Sequence, residues 1–205
     1  MGFFSSFGRK NKKQKNDPGS VPQAVMYGLT INARLQPIHR GEIYEDPICD
    51  RLEEMGIGGW NGAGSVLGED GEIRACDVAL YLRPDNEVTL QKLLDLLDTF
   101  DLPKGSKLMH GGDAICELGS MEGLAVYLNG TELPAEVYAS SDINVVISEM
   151  ETYLGEAGKM YSWYEGSGET ALYFYGKSFE EMKSRIESVL TKYPLCRKCR
   201  VVQIA

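Results

Sequence analysis

The second half of this chain repeats its first. Gly28-Leu29-Thr30-Ile31 reads like Gly123-Leu124-Ala125-Val126, and Ile43-Tyr44 before one helical run matches Val137-Tyr138 before another. Ala79-Leu80-Tyr81-Leu82 corresponds to Ala171-Leu172-Tyr173-Phe174, each followed by a further amphipathic segment. A repeat of this length exceeds a solenoid unit, so the chain reads as two related small units. Its 205 residues give each unit room for a modest core.

The expected divisions are a disordered basic tail over 1–22, a first unit over 23–112 and a second over 113–205. In the first unit, Ala24 to Ala33 alternates as a strand. Asp46-Pro47 offers a helix start, with Ile48, Leu52 and Met55 on one face. Glycine-rich residues 56–68 lead into a hairpin around Glu69-Asp70-Gly71, and Ile73 to Leu82 returns. Pro84-Asp85 opens a helix whose Leu90, Leu93, Leu94, Leu97 and Phe100 form an apolar stripe; Lys107 to Met109 closes the unit.

The second unit follows suit. Leu124 to Leu128 is a strand, and Ser141 is placed to cap a helix with Ile143, Val146, Ile147, Met150 and Leu154 inward. Met160 to Tyr164 and Thr170 to Tyr175 form a hairpin. Ser178-Phe179-Glu180-Glu181 is a capping box before a helix, and Arg200 to Ile204 ends the unit. This order, strand-helix-strand-strand-helix-strand twice, resembles the ferredoxin-like split βαβ fold. The resemblance implies an α+β protein of two tandem units, with antiparallel sheets and helices on one face. Such sheets can join edge to edge or pack through their open faces.

Motifs that carry chemistry fail on context. Glycines 56 to 68 lack the Gly-Lys-Ser/Thr of a phosphate loop and run into a hairpin where a helix N-terminus is needed. Gly166-Ser167-Gly168-Glu169-Thr170-Ala171 has the letters of a dinucleotide fingerprint but sits between two strands. Both segments read as hairpin turns and bulges. Cys196-Arg197-Lys198-Cys199 has no second cysteine pair for a structural zinc site and leads into a strand, unlike a redox pair. His110 has neither a partnered nucleophile nor a ligand set and reads as a linker residue. No catalytic residue, metal or cofactor is expected, and enzymatic activity is left open with a binding role favoured.

The net charge of −9 coexists with Arg9, Lys10, Lys12, Lys13 and Lys15 at the start, so the remaining body is more acidic than the total. An acidic body repels phosphate backbones, which argues against nucleic-acid binding, and steers basic proteins toward itself. Phe3, Phe4 and Phe7 ahead of Lys12 and Lys13 give the tail the makings of a weak contact with an anionic membrane surface. No apolar run approaches the roughly 20 residues of a spanning helix. The odd, scattered cysteines suit reduced thiols, hence a cytoplasmic protein, peripheral at the inner membrane surface if the tail engages it.

The expected contact residues are Trp60 and Asn61, Trp163 and Tyr164, which set aromatic rings beside flexible turns, with Glu69, Asp70 and Glu72 at a hairpin. Further carboxylates, Glu45, Asp46, Asp50, Glu53 and Glu54, line the first helix. This acidic surface resembles that of small bacterial immunity proteins, which neutralise toxins. The resemblance implies a non-enzymatic module that occludes a basic protein. The alternative is a small enzyme or ligand-binding protein with its site at the seam between units, where pockets favour domain interfaces. The oligomeric state is not set by these features.

Overall fold

Alternating apolar side chains place a strand at the start of each half, and the computed structural model, which describes residues 24–205, contains two antiparallel sheets. The first has the order β2-β3-β1-β4-β5, formed by β1 (Val25–Ile31), β2 (Gly58–Leu67), β3 (Ile73–Leu82), β4 (Ser106–His110) and β5 (Asp113–Leu118). The second has the order β7-β8-β6-β9, formed by β6 (Glu122–Asn129), β7 (Gly158–Glu165), β8 (Glu169–Gly176) and β9 (Arg200–Gln203). In each half the strands lie second, third, first, fourth. That is the ferredoxin-like arrangement, built twice.

The first sheet runs beyond the division drawn at residue 112. β5 pairs with β4 from Ser106↔Leu118 to His110↔Asp113, so residue 112 lies in a hairpin turn. Gly111 and Gly112, at φ 61° and 98°, supply the left-handed conformations that the turn demands. The chain then passes to the second unit at Gly119. Its φ is 94°, and a Cβ there would press on the Pro103 carbonyl.

Helices fill the connections: α1 (Pro37–Arg40), α2 (Asp46–Glu54) and α3 (Glu87–Leu97) in the first unit, then α4 (Ala135–Ser140), α5 (Ile143–Leu154) and α6 (Phe179–Lys192). Asp46-Pro47 begins α2 as expected, but Asp46 does not cap it. It lies inside a helical run that begins at Pro37, immediately after a π-helical turn, Gly41–Glu45. The Pro47 ring clashes with an ordinary α-helical turn before it, and the wider turn accommodates it. Capping also shifts slightly: Asn86, not Asp85, accepts the Thr89 N–H, and Asp142, not Ser141, accepts that of Asn144. Ser178 caps α6 as its sequence indicates, accepting the Glu181 N–H.

Most of glycine-rich 56–68 is not turn but the edge strand β2. Bulges interrupt it between Trp60 and Ala63 and between Val66 and Leu67. Period-two alternation decides each sheet's helix-facing side. In the first unit Leu29, Ile31, Val78 and Leu80 meet Ile48, Leu52, Leu93 and Leu97, all buried. In the second, Leu124, Val126, Leu172 and Phe174 meet Val146, Met150, Met182 and Ile186.

The two opposite faces part company. That of the second sheet carries Ala125, Tyr127, Ala171, Tyr173 and Tyr175, which join the first unit's core. They pack on the end of that unit made by segment 33–44 and the β2–β3 hairpin, where the Tyr44 and Tyr161 rings lie 6.4 Å apart. That of the first sheet, with Met26, Gly28, Ala79, Tyr81 and Met109 in register across three strands, is covered by no element among the described residues. The units therefore join neither edge to edge nor open face to open face. The tail residues Phe3, Phe4, Phe7, Lys12 and Lys13 lie outside the described residues.

Candidate functional site

The seam between the units is where sequence-distant polar groups converge. Glu72, at the foot of the hairpin, is 4% exposed. Its Oε1 accepts the hydroxyl protons of Tyr173 at 2.6 Å and Tyr127 at 2.8 Å, and it pairs with the Arg34 guanidinium. Arg74 reaches its Oε2 at 3.0 Å. Burial by itself raises a carboxyl's pKa, but the hydroxyls of Tyr173 and Tyr127 and the Arg34 charge outweigh it and hold Glu72 below the ordinary range. The same burial and contact push the Tyr173 and Tyr127 hydroxyls up. Glu72 is thus a fastener between units. The exposed hairpin charge expected from sequence is absent at this position, because the second sheet closes over it.

Farther along the seam the Arg34 N–H donates to Tyr175 Oη at 2.9 Å, and the Gln36 N–H donates to Ser162 Oγ at 3.0 Å. Ser162 Oγ also lies 2.9 Å from His39 Nδ1, within hydrogen-bond distance. Ser162 is buried, and its oxygen satisfies a seam amide.

On the outer side of this contact a groove of about 410 Å³ opens. The first unit contributes His39, Glu42 and Ile43; the second contributes Glu151 from α5, with Lys159 and Trp163 from β7. Trp163 is 40% exposed. Glu42 and Glu151 have no ion-pair partner among the described residues, whereas the Lys159 ammonium lies 5.1 Å from the Tyr161 ring centroid. Burial pushes the Tyr161 hydroxyl up to about 12, so the ring stays neutral under the ammonium. A groove lined by an exposed indole and two carboxylates without ion pairs is suited to a cationic side chain.

The remaining expected contact residues scatter. Trp60 is exposed on β2, and the Asn61 amide beside it lies 3.8 Å from Sδ of Met26 on the central strand β1. Glu69 is exposed at the hairpin. Asp70 pairs with Arg74 at 2.5 Å, and its carbonyl accepts the Tyr164 hydroxyl at 2.9 Å. Asp70, Glu72 and Tyr164 thus meet at a second, smaller seam cavity of about 200 Å³, away from Trp60 and Asn61. His39, Glu42 and Glu151 were not anticipated. No spacing signal links them, since they converge only when the second sheet docks on the π turn.

The acidic helix is as exposed as its sequence implies at Asp46, Asp50, Glu53 and Glu54, but Glu45 turns in to pair with Arg40. Burial first, then the surrounding carboxylates Glu45, Glu53, Asp46 and Asp50, push the Cys49 thiol up to about 12. Burial likewise pushes Cys196 up to about 12, and Cys199 up as well, the opposite of what a reactive thiol pair requires. His110 stacks on Tyr27 at 4.7 Å between ring centroids. Among the described residues no group of three His, Cys, Asp or Glu side chains is placed to hold a metal ion, and no helix is long and apolar enough to cross a membrane.

No protein-family model and no curated protein matches this chain. Among solved structures it is similar to the regulatory subunit of aspartate kinase from Thermus thermophilus, at 12% identity over 83% of this chain and 99% of that one, with a TM-score of 0.27. It is also similar to the first two RRM domains of the yeast poly(U)-binding protein Pub1, at 11% identity over 88% and 99%, TM-score 0.24. A third is a mutant chlorite dismutase from Candidatus Nitrospira defluvii, at 13% identity over 89% and 92%, TM-score 0.27. The fold assignment rests on the strand order described above, and a fold does not carry a function with it.

Proposed function

We propose that this chain is a non-enzymatic protein-binding module that captures a basic partner at the seam groove. The observation that carries the reading is that Glu42, from the first unit, and Glu151, from the second, line one groove with the exposed Trp163. A lysine or arginine entering the groove finds carboxylates and an aromatic ring in its lining, the residue types of an interface anchor. The exposed carboxylates of α2 add long-range steering, which raises the rate of encounter more than the final affinity. The burial of Ser162, 1% exposed, keeps its hydroxyl from a substrate and argues against hydrolysis at the same place.

Within this reading, the partner is occluded by the module, as an immunity-type inhibitor occludes a toxin. The test is titration of the full chain with an oligo-arginine peptide and, in parallel, an oligo-glutamate peptide, followed by calorimetry. The arginine peptide is expected to bind with an affinity that falls as salt rises. The double substitution Glu42→Gln, Glu151→Gln is expected to weaken it at least tenfold, and Trp163→Ala similarly. Binding that ignores salt and these substitutions, or no binding, overturns the reading. A stoichiometric basic protein co-purified from the native host, released by the same substitutions, extends it to a natural partner.

A further inference from the structure

We infer that the open face of the first sheet is the interface for a second copy of this chain. In register across β3, β1 and β4 this face presents Tyr81 and Met26, then Ala79, Gly28 and Met109, then Asp77, Thr30 and Lys107. Val66 and Ala75 extend it toward β2, and Glu117 continues it onto β5. Met26 is 43% exposed and Val66 42%. Glycine and alanine at its centre leave it flat, as close stacking of one sheet on another needs.

Charge selects a second copy over other occupants. The body carries an excess of carboxylates, and those of α2 repel any like surface brought against them. The open face is mixed instead: Lys107 lies 3.7 Å from Glu117, and Asp77 accepts the Thr30 hydroxyl at 2.7 Å with no ion pair among the described residues. Pressed on its own image, the face carries both signs, so Asp77 of one copy is paired by Lys107 of the other, as a self-complementary two-fold contact requires.

The area suffices. Five strands about 4.8 Å apart, with ladders of several residues at about 3.3 Å each, offer on the order of 500 Å² per copy. A pair therefore covers about 1,000 Å², the lower bound for a specific interface. The equivalent face of the second sheet is already covered inside the chain, by the first unit.

The experiment is sedimentation analysis of the full chain over a range of concentrations. A species of twice 22.7 kDa that dissociates on dilution is expected. Ala79→Glu and, separately, Met26→Lys place a charge on the face that a monomer solvates and a dimer must bury. Each is expected to shift the dissociation constant at least tenfold toward monomer while thermal melting stays that of a folded chain. Trp163→Ala, away from this face, is expected to leave the dimer intact. A wild-type monomer at every concentration overturns the inference, as does a dimer that tolerates both substitutions. So does a monomer whose Met26 and Met109 become more oxidisable when residues 1–23 are deleted, which assigns the face to the chain's own start.

Discussion

The Tyr173 hydroxyl donates to Glu72 Oε1 at 2.6 Å, across 101 positions of sequence, and so ties the central strand pair of the second sheet to the hairpin of the first. Arg34 and Tyr127 converge on the same oxygen. Removing the carboxylate leaves a guanidinium and two hydroxyls without their acceptor in a closed seam. Glu72→Ala is therefore expected to cost about 3 kcal/mol of stability, the cost of stranding buried polar partners. Equilibrium denaturation with urea measures it, and a loss below about 1 kcal/mol would falsify the role of Glu72 as a fastener between units.

Acid should undo the same contact in wild-type protein. The folded-state pKa of Glu72 is depressed, so its stabilisation is complete above the unfolded-state value of about 4.3 and is lost as pH falls through the lower folded value. The gap in melting temperature between wild type and Glu72→Gln is expected to be constant near neutrality and to close below about pH 4. A gap that stays the same throughout the acid range would show that the carboxylate charge contributes nothing.

Ser162 provides an independent test of the seam. Its oxygen satisfies the Gln36 amide and lies within hydrogen-bond distance of His39 Nδ1, and Ser162→Ala leaves that amide without an acceptor. The expected loss is about 1–2 kcal/mol, accompanied by faster hydrogen exchange at Gln36. Unchanged exchange at Gln36 would mean that water replaces the hydroxyl without cost.

Parts of this architecture are written locally. The apolar stripe of α3, the Ser178 cap of α6 and the alternation of β3 all follow from nearest neighbours along the chain. Together they yield the doubled strand-helix order. β2 was harder, because a strand with four glycines among its 10 residues, and a bulge at Asn61-Gly62, carries little side-chain pattern. One signal of the seam was present. Ala171-Leu172-Tyr173-Phe174-Tyr175 is apolar without interruption, whereas Cys76-Asp77-Val78-Ala79-Leu80 alternates. A continuous apolar run marks a strand covered on both faces, and alternation of small or polar residues marks one covered on a single face.

The amino-acid order by itself determined the elements, their succession and the helix-facing half of each core, since these depend on periodicity over a few residues. Only the tertiary structure decided which sheet hides its second face. It also buried Glu72 while leaving Glu69 exposed, and brought Glu42 and Glu151 into the lining of one groove. Those outcomes depend on docking two units whose contacting residues lie up to 141 positions apart, as Arg34 and Tyr175 do. Shape and polar complementarity set that choice after the local structure has formed, and neither leaves a periodic mark on the chain.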